Sequence, residues 1–91
     1  MAIKIEMLRC FVAVAECGNL AGAAERLSRS PSAVSVMLKQ LEEHLGQPLF
    51  ETDRKNRLSS TGDFVLARAR LELRQFAHAV QAIDRKSTRL N

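Results

Sequence analysis

The stretch from Ser30 to Gly46 constrains this chain more than any other. Ser30-Pro31 sets a hydroxyl side chain ahead of a proline, a pairing that caps a helix and opens its first turn without wasting an N–H. Gly46 supplies the stop. Between them Val34, Leu38, Leu41 and Leu45 fall at i, i+4, i+7 and i+11, the apolar stripe of a helix from Pro31 to Leu45. At about 100° per residue, the opposite face carries Ser32, Val36, Lys39 and Glu43, flanked by Ser35 and Gln40. Its N-terminal part has no acid, because Glu42 and Glu43 stand at the far end. Free N–H groups and the positive end of the helix dipole suit such a tip to phosphates and base edges.

The segments around it are equally patterned. Leu8, Phe11, Val12 and Ala15 recur at i, i+3, i+4 and i+7 in a helix from Ile5 to Cys17, which Gly18 ends. Glu6, Arg9 and Glu16 lie off that face. Asn19 reads as the N-cap of a second helix from Leu20 to about Leu27, with its stripe at Leu20, Ala23, Ala24 and Leu27. The two alanines let another helix come close. Ser28-Arg29 is a short turn into the third helix. Downstream, Pro48 to Thr52 and Arg57-Leu58-Ser59 read as two short strands around a polar turn, Asp53-Arg54-Lys55-Asn56.

Ser59 or Ser60 then caps a fourth helix from about Thr61 to Asp84. Along it Leu66, Ala69, Leu73, Phe76, Val80 and Ile83 step by three and four, an a/d seam. Phe64, Ala67 and Leu71 form a separate stripe near its start. At about 36 Å, this helix outreaches the body before it. The seam is therefore expected to join a second copy, the alternative being that both stripes fold back on the body. Residues 85–91 lack apolar periodicity and read as a tail, or as sequence foreign to the domain.

Composition narrows the class. The 91 residues suit one small domain with an appended element, and 46% hydrophobic with 26% charged residues is ordinary for a globular protein. Residues 1–50 balance their charges, so the net +4 comes from residues 51–91, which suggests a polyanionic partner. No stretch approaches the roughly 20 apolar residues of a membrane span. The N-terminus mixes Lys4 and Glu6 without a cleavage site, so no signal peptide is expected. Cys10 and Cys17 stand about 10 Å apart along one helix, too far for a disulfide, and read as reduced thiols of a cytoplasmic protein. His44 and His78 have no ligand partners at metal-binding spacing. No nucleophile–base pair or Gly-rich phosphate loop is present, so neither catalysis nor a cofactor is expected.

Two helices, a tight turn, a capped helix and a basic hairpin follow the winged helix-turn-helix order. The residues resemble the N-terminal DNA-binding domain of LysR-type transcriptional regulators. The resemblance is carried by Phe11-Val12-Ala13-Val14-Ala15-Glu16, Gly18-Asn19-Leu20, Ala23 to Leu27, Pro31 to Ser35, Gln40 to Glu43, Leu45-Gly46, Pro48-Leu49-Phe50, Leu58-Ser59 and Gly62. It runs without a gap from residue 4 to about 62, and the helix beyond resembles the family's linker helix.

The fold so implied is mainly α. A winged helix-turn-helix spans residues 4–61, with three helices and a short β-hairpin wing. Its helix-turn-helix covers about 19–38 and its wing about 48–59. A linker/dimerisation helix follows at 62–84, then a tail at 85–91. The resemblance also implies cytoplasmic transcription control in a bacterium, by a homodimer or tetramer on an inverted-repeat operator in double-stranded DNA. A small-molecule effector would bind a C-terminal domain, before which these residues stop. Three departures bear on base contacts rather than on the fold. The apolar Val36 or Met37 stands where the family usually carries Arg or Gln, Thr52 where Arg often follows, and Arg29 at a turn position that is usually apolar.

The third helix is thus expected in the major groove, presenting Ser32, Ser35, Val36 and Lys39. Serine hydroxyls read sequence weakly, and Lys39 suits phosphate better than base. Val36 either packs on a thymine methyl or is simply exposed or in a domain contact. Asn19, Ser30 and Pro31 open helices whose N–H groups face phosphates, with capping as their first role. Arg54, Lys55 and Arg57 fit the minor groove or its phosphates, or else solvate a turn. Dimerisation falls to Leu66, Ala69, Leu73, Phe76, Val80 and Ile83. Two rivals stay open. A winged-helix module binding proteins would show a broad apolar patch on the third helix's outer face. A winged-helix regulator of another family would not dimerise through the fourth helix.

Overall fold

The structure, a computed structural model, describes residues 3–51 and 54–90, with the backbone alone for Arg54 and 84–90. Its elements are α1 (Ile5–Cys17), α2 (Leu20–Leu27), α3 (Pro31–Leu45), β1 (Phe50–Glu51), β2 (Arg54–Leu58) and α4 (Ser60–Leu90). The first three helices have the bounds that their caps predict. Asn19 Oδ1 accepts the Gly22 N–H at 2.6 Å, and Ser30 Oγ accepts the Ala33 N–H at 3.1 Å. Gly18 and Gly46 close α1 and α3 in the left-handed region, at φ 78° and 71°, each donating its N–H to the preceding turn.

α1 is the central element and packs against α2, α3, β2 and α4. Met7, Phe11 and Val14 meet Ala23 and Ala24 of α2, Val34, Leu38 and Leu41 of α3, and Leu49 and Phe50. Phe11 and Phe50 pack edge to face with ring centroids 5.7 Å apart. Apart from the buried Ala13, the deepest face of α1 is Met7, Cys10, Phe11 and Val14. That is one residue back from the expected stripe, whose Leu8, Val12 and Ala15 are only half-buried. A helix contacted by four elements buries more than one apolar stripe, so periodicity alone points to no single inward face.

The hairpin also differs from expectation. β2 begins at Arg54, so Arg54, Lys55 and Asn56 belong to a strand rather than to the turn. Phe50 pairs with Leu58 and Glu51 with Arg54, antiparallel, and the register shifts between them. A bulge of this kind absorbs extra residues in one strand and bends it.

The junction into α4 is tightly bonded. Glu42 Oε2 accepts the Leu49 N–H at 2.7 Å. Ser59 donates its hydroxyl to the Pro48 carbonyl at 2.7 Å and its N–H to the Leu49 carbonyl at 3.0 Å. The same hydroxyl accepts the Gly62 N–H at 3.0 Å, so Ser59 is the cap. Gly62 passes so close to Leu49 that an added Cβ would overlap the Leu49 carbonyl oxygen and crowd Leu58 Cδ2 to 3.0 Å. The obstacle is backbone already held by Ser59. Gly62→Ala is therefore expected to destabilise the fold by about 3 kcal/mol, the upper range for overpacking. Thermal melting followed by circular dichroism reads this as a fall of more than about 10 °C, and a fall of a degree or two would contradict it.

α4 continues to Leu90, where a tail was expected from residue 85. No Gly or Pro follows Gly62, and nothing short of such a residue needs to stop a helix. The molecule accordingly measures 52 × 24 × 23 Å.

Candidate nucleic-acid interface

The α3 face is built from the two ends of the helix inward. Ser30 fixes the first turn, the buried Val34, Leu38 and Leu41 fix the rotation, and the opposite face of the helix turns out. Ser30, Pro31, Ser32, Ser35, Val36 and Lys39 are all exposed on this one helix, Val36 at 55%. Met37 turns the other way. It is half-buried with its Sδ 3.4 Å from the thiol of buried Cys10, so it packs inward. Burial pushes that thiol's pKa up.

Asn19 is exposed at the start of α2, but its amide is engaged on both sides. Its Oδ1 holds the Gly22 N–H, and Nδ2 donates to the Cys17 carbonyl at 3.2 Å. In the wing, Lys55 is half-buried with its ammonium 5.5 Å from the Phe50 ring centroid. Arg57 is exposed, 3.9 Å from the Glu51 carboxylate. Arg54 sits on β2, and its side chain falls outside the described residues.

Charge is sorted along the first three helices. Glu6 pairs with Arg29 at 2.9 Å and Arg9 at 3.4 Å. Glu16 pairs with Arg26 at 2.7 Å and Arg70 at 2.9 Å. Hydrogen bonds from Arg26, then Arg70, hold the Glu16 carboxyl below the usual carboxylate range. These pairs consume the arginines that balance the first fifty residues. Among the described residues Lys39 makes no ion pair, so its charge stays available at the α3 face. The Glu16 pairs were not foreseen: Glu16 and Arg70 are 54 residues apart and leave no periodic trace.

The expected dimer seam divides in two. Leu66 packs against the core and Ala69 is 2% exposed, so both are spent within the chain. The near part of α4 docks on its own body, which leaves only the far half uncovered. Leu73 is half-buried, whereas Phe76, Val80 and Ile83 are exposed. The Arg9 guanidinium lies 5.8 Å from the Phe76 ring centroid. Phe64 is 69% exposed on the second stripe, with Ala67 exposed and Leu71 half-buried. Among the described residues no three His, Cys, Asp or Glu gather as metal ligands, and no helix is long and apolar enough to cross a membrane.

Comparison with known proteins agrees with this geometry. Residues 5–63 match the family described as "Bacterial regulatory helix-turn-helix protein, lysR family". The chain is 40% identical over 80 residues to the HTH-type transcriptional regulator DgdR of Burkholderia cepacia, covering 87% of this chain and 27% of that protein. It thus spans about a quarter of the length of the curated relatives it matches. Among solved structures, the BenM DNA-binding domain in complex with benA site 1 DNA is similar at a TM-score of 0.84 and 29% identity, covering 92% of this chain and 96% of that one. The CbnR DNA-binding domain in its DNA complex is similar at 0.75 and 32%, covering 97% and 99%. The match takes in the three-helix body, the wing and the first residues of α4, and the chain belongs to this lysR family of bacterial regulatory helix-turn-helix proteins.

Proposed function

We propose that this chain is the DNA-reading and dimerising module of a transcription regulator. The N-terminal half of α3 enters the major groove of double-stranded DNA, with Ser32, Ser35 and Val36 toward base edges and Lys39 toward phosphate. Asn19 and Ser30 cap α2 and α3 so that free backbone N–H groups face the flanking phosphates. Arg54 and Arg57 follow the backbone beside the wing, while Lys55, resting on Phe50, adds positive field. Two copies join through Leu73, Phe76, Val80 and Ile83 of α4.

One observation carries this reading: an exposed, acid-free helix tip backed by a leucine stripe, in a frame like that of relatives solved on DNA. A protein-binding module would need a broad apolar surface there, and Val36 is the only large apolar side chain exposed on α3 among the described residues. Selection of bound duplexes from a random pool tests the proposal. The expected product is an inverted repeat with half-sites spaced by about one helical turn, or a multiple of it. Recovery of no enriched sequence, or of a single unrepeated site, would count against it.

A further inference from the structure

Glu16, in the last turn of α1, divides its carboxylate between two other helices. Oε1 accepts from Arg26 of α2 at 2.7 Å. Oε2 accepts from Nε and NH2 of Arg70 on α4, at 3.3 and 2.9 Å. Arg26 stands in the last turn before the tight turn into α3. One side chain therefore touches both the helix-turn-helix and the helix assigned above to dimerisation. From this convergence we propose that Glu16 is a positioning residue: it sets the angle of α4 against the helix-turn-helix, and so the separation of the two α3 tips in the dimer. The inference rests on the function proposed above.

The geometry is that of a lever. Gly62 against the Leu49 carbonyl fixes α4 at one point. The Glu16–Arg70 contact fixes it again eight residues further, about 12 Å along the axis. The free seam lies beyond both points, and Ile83 is about 32 Å from Gly62. A swing of about 10° about Gly62 would move Ile83 by about 6 Å, more than the axial rise of one base pair. Leu66 and Ala69 also hold α4 to the body, by apolar burial that is itself non-directional. The charged hydrogen bonds of Arg70 have direction. With its carboxyl held below the ordinary range by Arg26 and Arg70, Glu16 is ionised at neutral pH and both arms are intact. The group is partly exposed, so its loss is expected to change stability little.

The test uses the chain with its selected inverted repeat, the spacer lengthened or shortened by one and two base pairs. The wild-type chain should prefer its best spacing by at least about tenfold. Glu16→Gln and Arg70→Gln should each reduce that preference below about threefold. Both should leave affinity for an isolated half-site and the melting temperature nearly unchanged. Arg70→Lys, which keeps the charge, should recover much of the preference. Retention of the full preference by either glutamine variant overturns the inference, as does a parallel loss of half-site affinity or of fold in both. If the wild-type chain binds no duplex at all, the proposed function falls first. If it binds with a spacing preference that the variants retain, only the role of Glu16 falls.

Discussion

Raising NaCl from 50 to 200 mM is expected to weaken binding to the selected duplex about a thousandfold. The figure follows from the cations proposed above to meet phosphate. Arg9, Arg26, Arg29 and Arg70 are committed to Glu6 and Glu16 and do not count. Lys39 has no ion pair among the described residues and Arg57 has only a loose one to Glu51; Arg54, on β2 with its side chain outside the described residues, is counted with them as proposed above. About three phosphate contacts per protomer make six per dimer, hence a log–log slope near −5. A fluorescence-anisotropy titration at several salt concentrations measures the slope directly. A nearly flat response would mean that the basic wing and Lys39 do not meet phosphate.

The double variant Val80→Glu/Ile83→Glu is expected to lower affinity for the inverted repeat by about a hundredfold or more, the avidity that two linked sites supply. Both side chains are exposed within the chain, so the protomer should fold and melt as before. Placing four carboxylates in a two-fold seam sets like charges together in a contact that depends on apolar burial. Affinity for an isolated half-site should hold within a few-fold. Light scattering should show the wild type at twice the protomer mass and the variant at one. A variant that stays dimeric and binds normally would place the seam elsewhere, with the exposed Phe64 stripe the first surface to examine.

Much of the fold was legible because its boundaries are written locally. Gly18-Asn19, Ser30-Pro31 and Gly46 each act within a turn of their own position, and they set the end of α1, the start of α2 and both ends of α3. The leucine stripe of α3 was equally clear, since that helix buries a single face. Less legible were the features that depend on several elements at once. α1 touches four neighbours, so its apolar periodicity did not single out Met7, Cys10, Phe11 and Val14. The seam of α4 was regular from Leu66 to Ile83. Regularity could not reveal that Leu66 and Ala69 would be claimed by the body. Lys55 looked like a free wing cation until β2 set it over Phe50. In the sequence Glu16 lies merely off the α1 stripe and Glu42 at the far end of α3. Their partners, Arg26, Arg70 and the Leu49 N–H, are brought to them only by the fold.

The central claim concerns a surface, and amide chemical shifts read surfaces residue by residue. In a titration of the isotopically labelled chain with its selected duplex, the largest displacements are expected from Ser32 through Lys39 and from Lys55 through Arg57. Displacements centred instead on Phe64, Ala67 and Leu71, with the α3 amides unmoved, would contradict the assignment of that helix to the groove.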